Sequence, residues 1–238
     1  MSRARTLRWL GSVYFVAHAA LVEAESLLDK VGVVAQVVND WTYHGTSEVL
    51  GEPVVGLNAE LSLDSQWFFG IEGHLARLRS SSIRQRQQAV AAYVGREFNL
   101  GQNWHSSVFL THRLFIDSVA EWDFTELSAD LTHDSGFTLR VDYSPDYYAR
   151  DTPAVAFEAH FNRAITDRSY LYLMVGALEI ADDAFLDHQY GSVGIGASLA
   201  AANVDAGYQF NSRDTDEFFG SEPYSPSQWV VRLSYRLW

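Results

Sequence analysis

Between Phe124 and Tyr143 the chain alternates apolar and polar residues twice, on either side of one short break. Leu127, Ala129 and Leu131 share one parity and Glu126, Ser128 and Asp130 the other. After His133-Asp134-Ser135-Gly136, the residues Phe137, Leu139, Val141 and Tyr143 alternate with Thr138, Arg140 and Asp142. A period of two sends successive side chains to opposite faces of a strand. The Asp-Ser-Gly break supplies a tight turn, so the stretch predicts a β-hairpin with one apolar and one charged face.

The same unit recurs along the chain. Alternation predicts strands at Lys30–Asn39, Val55–Leu63, Trp67–Leu75, Gln88–Phe98 and Trp104–Leu114, and, beyond the hairpin, at Val155–Phe161, Tyr170–Ile180, Val193–Leu199, Val204–Phe210 and Trp229–Trp238. That is about twelve strands. Tyr170–Ile180 is apolar on both faces and carries the weakest signal.

The connections sort by parity. Short turns at Asp64–Gln66, Asn99–Asn103, His133–Gly136, Thr166–Arg168 and Ala200–Ala202 alternate with longer segments at Asp40–Pro53, Arg79–Gln87, Phe115–Trp122, Ser144–Pro153, Ala181–Gln189 and Ser212–Gln228. A soluble sandwich has no reason to sort its turns in this way. A transmembrane barrel does, because it carries short periplasmic turns and longer extracellular loops. Aromatic residues fall near both sets of connections. Trp41, Tyr43, Trp122, Phe124, Tyr143, Tyr147, Tyr148, Tyr190, Phe210 and Trp229 lie near the long ones, and Trp67, Phe68, Phe98, Trp104, Phe137, Tyr170 and Trp238 near the short ones. Two aromatic belts are the pattern expected at two membrane interfaces. The expected fold is therefore all-β: a transmembrane antiparallel up-and-down β-barrel of about twelve strands, in the outer membrane.

Composition narrows the class. Hydrophobic residues make up 47% of 238 residues, yet beyond the N-terminus no run reaches the roughly 18 apolar residues of a membrane helix. There is no cysteine, which excludes disulfides, thiolate metal sites and a lipidated cysteine anchor. A formal net charge of −13 argues against nucleic acid as a partner, since phosphate recognition needs a basic surface. The first 24 residues read as a signal peptide: Arg3, Arg5 and Arg8 precede the mostly apolar stretch Leu10–Leu21, and Val22-Glu23-Ala24 offers a cleavage site, with Ala17-His18-Ala19 as competitor. Residues 25–238 then form the barrel.

Several segments resemble the TorF-type porin family of bacterial outer-membrane barrels. They are Trp41-Thr42-Tyr43-His44-Gly45-Thr46-Ser47, Glu52-Pro53-Val54-Val55-Gly56, Phe68-Phe69-Gly70, Thr125-Glu126-Leu127 and Tyr143-Ser144-Pro145-Asp146-Tyr147-Tyr148. His44 stands where relatives often carry Arg, and Gly70-Ile71-Glu72 lacks the Trp of the family's Gly-x-Trp segment. The resemblance implies an outer-membrane barrel with a pore role and brings no catalytic residues and no cofactor.

If the apolar faces meet lipid, the polar faces line a lumen. Its candidate lining is Glu60, Glu72, His74, Glu126, Asp130, Arg140, Asp142, Glu158, His160, Asp205, Arg232 and Arg236. Acids outnumber bases, so the expectation is passive passage of small solutes or ions through a narrow acidic lumen that favours cations. Arg–carboxylate pairs that plug the lumen are the opposing possibility, and twelve strands lie between the filled eight-stranded and open sixteen-stranded barrels. The expected partners are outer-membrane lipid, the solutes, and the barrel assembly machinery acting on the C-terminal strand.

Three alternatives remain, one of them a soluble exported β-protein. A structural or adhesive barrel would act through its outer loops, Ser212–Gln228 above all. A lipid hydrolase would need a nucleophile and base: His105 and Ser107 share a strand face but sit at the short-turn end, and His44 with Thr46 or Ser47 lacks an evident third member. No enzyme is expected. No metal site is expected either, because neither Asp182-Asp183 with Asp187-His188 nor Asp214-Thr215-Asp216-Glu217 has binding-loop spacing.

Overall fold

The computed structural model describes residues 30–49, 51–79, 84–116, 122–181, 187–212 and 227–237. The expected signal peptide, residues 1–24, lies outside the described residues, as do Trp238 and residues 213–226 of the longest loop.

Twelve strands pair antiparallel, each with its neighbour along the chain, and the last closes on the first. They are β1 (Val31–Val38), β4 (Val54–Ser62), β5 (Trp67–Arg79), β6 (Arg84–Asn99), β7 (Trp104–Ile116), β8 (Phe124–His133), β9 (Phe137–Ser144), β10 (Ala154–Ala164), β11 (Ser169–Ile180), β12 (His188–Leu199), β13 (Ala202–Asn211) and β14 (Gln228–Arg236). Closure is made by β1 on β14, in the register Gln36 opposite Ser234. A closed ladder leaves no strand edge, which is what a sheet needs in hydrocarbon, where no water can satisfy an open N–H or C=O.

The two faces follow the parity of the sequence. Val55, Leu57, Leu110, Leu127, Phe157, Ile195, Val231 and Leu233 point outward and are well exposed, each above 40% of its surface. Gln36, Asn58, Glu60, Glu126, Ser128 and Asp142 point inward and are buried. This is inside-out relative to a soluble protein. An exterior this apolar belongs in lipid, and the closed barrel is one of two architectures that can span it.

Tight packing inside the barrel accounts for glycines on β12. A Cβ at Gly194 would fall 2.4 Å from the Tyr172 hydroxyl, and one at Gly196 would fall 2.1 Å from the Tyr170 ring. Each tyrosine lies opposite its glycine on the neighbouring strand, so the ring covers bare backbone.

Three expectations need correction. The segment Arg79–Gln87 is not a long loop: β5 runs to Arg79, β6 starts at Arg84, and Arg79 pairs with Arg84 across residues 80–83. Both faces of the sequence are polar there, so alternation vanishes while the backbone ladder continues. Likewise β12 begins at His188, inside the segment read as an acidic loop. The aromatic belt at the loop end is thinner than the sequence implied. Tyr143 and Trp229 are exposed on the outside, but Phe124, Tyr147, Tyr148 and Tyr190 are buried at 1–3%. At the turn end Trp67, Phe98 and Trp104 are exposed, whereas Phe68 and Tyr170 face inward.

Leu110 sits midway along β7 and is 48% exposed. Leu110→Arg is expected to destabilise the folded barrel by about 2–4 kcal/mol, the depth-dependent penalty for a lipid-facing cation at midplane. Urea-dependent folding into phospholipid vesicles, followed by tryptophan fluorescence, measures it.

Candidate functional site

The connection from β1 to β4, residues 39–53, folds into the barrel. It contains a hairpin of two short strands, β2 (Thr42–Tyr43) and β3 (Thr46–Ser47), which pair Tyr43 with Thr46. His44 (φ 44°) and Gly45 (φ 75°) form its turn. Positive φ at both central residues is the geometry of a type I′ hairpin turn, for which glycine is well suited. Gly45 meets a second demand, because a Cβ there would lie 2.4 Å from Tyr190. Trp41 packs against the buried cluster Val38, Val49, Val54 and Val230. Its ring lies over Gly56, where an added Cβ would come within 2.9 Å.

A second inward element comes from the β9–β10 connection. Tyr147–Ala149 forms one 3-10 turn, and Tyr148 and Ala149 both have positive φ. The reversal drives the Tyr147 and Tyr148 rings into the interior, where they pack on Phe124, with Tyr148 also against Phe115.

Hydrogen bonds and charges join these elements to the wall. Glu48, from the hairpin, accepts a bond from Tyr148 Oη at 2.8 Å and one from Arg113 Nη1 at 3.4 Å. Arg113 Nη2 donates to Glu72 Oε1 at 3.1 Å, and its guanidinium lies 4.2 Å from the Tyr43 ring centroid. His74 sits 3.6 Å from Glu48 Oε2 and stacks at 4.6 Å on Trp41. Tyr43 Oη donates to Glu126 Oε1. His44 Nδ1 lies 3.2 Å from Tyr147 Oη, while His44 Nε2 faces Asp142 Oδ2 at 3.4 Å and Glu126 Oε2 at 3.8 Å. Further bonds run from His188 to the His44 carbonyl (2.7 Å), Gln209 to Thr42 (2.9 Å), Asn211 to the Gly45 carbonyl (3.0 Å) and Gln228 to Asp40. The hairpin is thus bound on several sides, within a low-dielectric interior where unpaired charges are strongly penalised.

The twelve residues expected in a lumen fall into two groups. His74, Glu126 and Asp142 meet the hairpin, as above, and Glu72 reaches it through Arg113. Glu158 accepts from Tyr190 Oη at 2.6 Å and lies 2.7 Å from His160 Nε2. Nearer the short turns, Arg140 grips Asp130 through Nε at 2.7 Å and Nη2 at 2.8 Å. There Glu60 accepts from Ser62 at 2.9 Å, Asp205 accepts from Tyr170, Arg232 stands opposite Asp205, and Arg236 lies opposite Val34.

Sequence reasoning missed Glu48, Arg113, Tyr43 and Tyr147 as interior residues. Arg113 was legible, since it is out of phase with Trp104, Val108, Leu110 and Leu114 on the same strand. The others stand in non-alternating connections, though Tyr43 and Tyr147, with the neighbouring Tyr148, fall in segments that carry the TorF resemblance. His105 and Ser107, the hydrolase candidates, have separate partners: His105 contacts Asn99 (2.8 Å) and Asp134 (3.2 Å), and Ser107 donates to Asp130 (3.4 Å). Ser47 donates to Asp40 at 2.5 Å. Of the acidic loop clusters, residues 182–186 and 213–226 lie outside the described residues.

A closed twelve-stranded barrel with an apolar exterior and a charged interior defines the class: this is an outer-membrane-type β-barrel. Solved structures share the fold. The KdgM porin aligns over 86% of this chain and 97% of its own, with a TM-score of 0.54 and 6% sequence identity. The KdgM porin in complex with disordered oligogalacturonate aligns over the same shares, with a TM-score of 0.53 and 6% identity. The outer membrane protein OprD from Pseudomonas aeruginosa matches more loosely, over 88% of this chain and 65% of its own, with a TM-score of 0.39 and 11% identity. At 6% identity the likeness to the KdgM porin is one of fold. No protein-family model matches the chain, and no curated protein sequence matches it.

Arg113 holds two carboxylates, and the side chains of Arg113, Glu48 and Glu72 are 5%, 0% and 13% exposed. Arg113→Met is expected to destabilise the barrel by about 3–5 kcal/mol by stranding buried charge. Glu72→Gln, which leaves the Arg113–Glu48 contact in place, should lose markedly less. Denaturant titration of the two refolded variants makes the comparison.

Proposed function

We propose that the protein is an outer-membrane porin that passes small solutes, cations preferentially, by diffusion through an acidic lumen narrowed by the 39–53 hairpin. The observation that carries this reading is the inner face of the turn-end half. There Asp130, Asp205, Arg140 and Arg232 are only part-buried, so they remain within reach of solvent. Counted along the inner face, the acids Glu60, Glu72, Glu97, Glu126, Asp130, Asp142, Glu158 and Asp205 exceed the bases Arg113, Arg140, Arg232 and Arg236. A low-dielectric wall bearing one sign of charge concentrates counter-ions of the other. The fold shared with the KdgM porin and the TorF-like segments agree with this reading, and in it residues 1–24 direct export and the C-terminal strand engages the assembly machinery. The mature chain would then be still more acidic, since the leader carries three arginines against Glu23.

Planar-bilayer recording of the purified, refolded protein under unequal salt tests the proposal. Reproducible steps with a cation-selective reversal potential are expected, and combined Glu60→Gln and Asp205→Asn should reduce the selectivity. Replacing residues 41–51 by a short Gly-Ser linker should raise the unit conductance several-fold. The buried hairpin network also favours a second reading, a closed barrel that works through its outer loops. Silence in the bilayer from a demonstrably folded protein, with conduction appearing only after the hairpin is removed, would select it.

A further inference from the structure

His44, Glu126 and Asp142 form a converging set of donors that the pore reading does not use. Their ligand atoms, one per residue, all lie within 4.8 Å of one another, and all three residues are buried. His44 arrives on the hairpin turn, whereas Glu126 and Asp142 are diagonal neighbours on β8 and β9, where Ser128 opposes Asp142 and Leu127 opposes Tyr143. Asp142 is 3% exposed, and its Oδ2, aimed at His44 Nε2, has no hydrogen-bond partner among the described residues. With only the His44 ring facing it at 3.4 Å, that buried oxygen is loosely held, and a cation between the three donors would complete it.

The surrounding bonds fix two of the three donors, His44 and Glu126, as a metal site would require. His44 directs Nδ1 at the Tyr147 hydroxyl, which leaves Nε2 turned toward both carboxylates. A ligating histidine usually anchors its other ring nitrogen on an oxygen in this way, and ligating carboxylates are themselves held by outer hydrogen bonds. Glu126 meets that second condition, with Oε1 bound by Tyr43 and Oε2 left facing His44. Donors bonded to tetrahedral zinc at 2.0–2.2 Å lie about 3.3–3.6 Å apart; here Nε2 stands 3.4 Å from Asp142 Oδ2, inside that range, and 3.8 Å from Glu126 Oε2, so the three donors must draw in slightly to bind. One imidazole nitrogen with two carboxylate oxygens suits a zinc-class cation better than calcium or magnesium, which favour all-oxygen shells.

We propose that His44, Glu126 and Asp142 bind one zinc-class divalent cation, which fastens the 39–53 hairpin to the barrel wall. This goes beyond the pore reading and stands apart from it, because a barrel that conducts nothing could still hold the ion.

Elemental analysis tests the site directly. The refolded barrel is stripped with a chelator, equilibrated with zinc alone and desalted, then analysed by mass spectrometry for metal per chain. About one zinc per chain is expected, with at least a tenfold weaker zinc affinity for Asp142→Asn and for Glu126→Gln. Asp64→Asn, on the turn between β4 and β5, should bind as the parent does. Cobalt substitution adds a check on geometry: a tetrahedral visible spectrum should appear in the parent and fade in Asp142→Asn. Failure of the parent to retain zinc at micromolar concentration overturns the proposal whatever the variants do. Equal retention by the parent and both ligand variants, each folded by its gel mobility, overturns it too.

Discussion

Backbone hydrogen bonds cannot be left open in a hydrocarbon solvent, and the rest of this molecule depends on that constraint. Each strand pairs on both sides, and the register of β1 on β14 closes the ring. Once it is closed, period-two alternation has only two destinations, lipid and interior. The apolar parity meets lipid, where burial in water would otherwise be required, and the polar parity is forced inward together with its charges. The unusual interior follows from the same rule that makes the exterior apolar.

A charged interior creates its own demand. Carboxylates on facing strands sit in a confined, low-dielectric space, and each needs a donor or a counter-charge. Near the short turns the wall supplies these itself, through Arg140 on Asp130 and Tyr170 on Asp205. Near the loops it does so only in part, through Arg113 on Glu72 and Tyr190 on Glu158, and the 39–53 hairpin and the 147–149 turn bring the remaining groups in. Glu48 caps the cation that Glu72 alone would share, and Tyr43 and His44 face Glu126 and Asp142. The hairpin therefore serves two ends at once, filling space and completing the electrostatics of the strands around it. The interior is part-buried at the turn end and crowded at the loop end.

Strand number, strand order, antiparallel hairpins and the side faced by residues of the alternating strands were legible in the sequence, because each is set by local parity and turn chemistry. Leu127 outward and Glu126 inward needed no knowledge of the rest of the chain. Legibility failed where the period failed. Across Arg79–Gln87 the strands continue with polar residues at both parities, so nothing in the pattern marks them as strands. In 39–53 and 145–153 no period exists at all, and aromatic residues there read as part of a membrane belt although Tyr147 and Tyr148 lie buried inside.

By itself, then, the sequence determined a closed membrane barrel and the parity of its wall. Only the tertiary structure decided which polar side chains meet. Parity states that Glu126 and Asp142 point inward, but their partner His44 lies far away along the chain on a loop whose direction depends on cavities formed by the whole ring. Contacts of that kind arise from shape and charge summed over many strands, including the seats offered by Gly56 to Trp41 and by Tyr190 to Gly45. Local periodicity carries no record of such sums, because it reports where a side chain points and is silent about what it will find there.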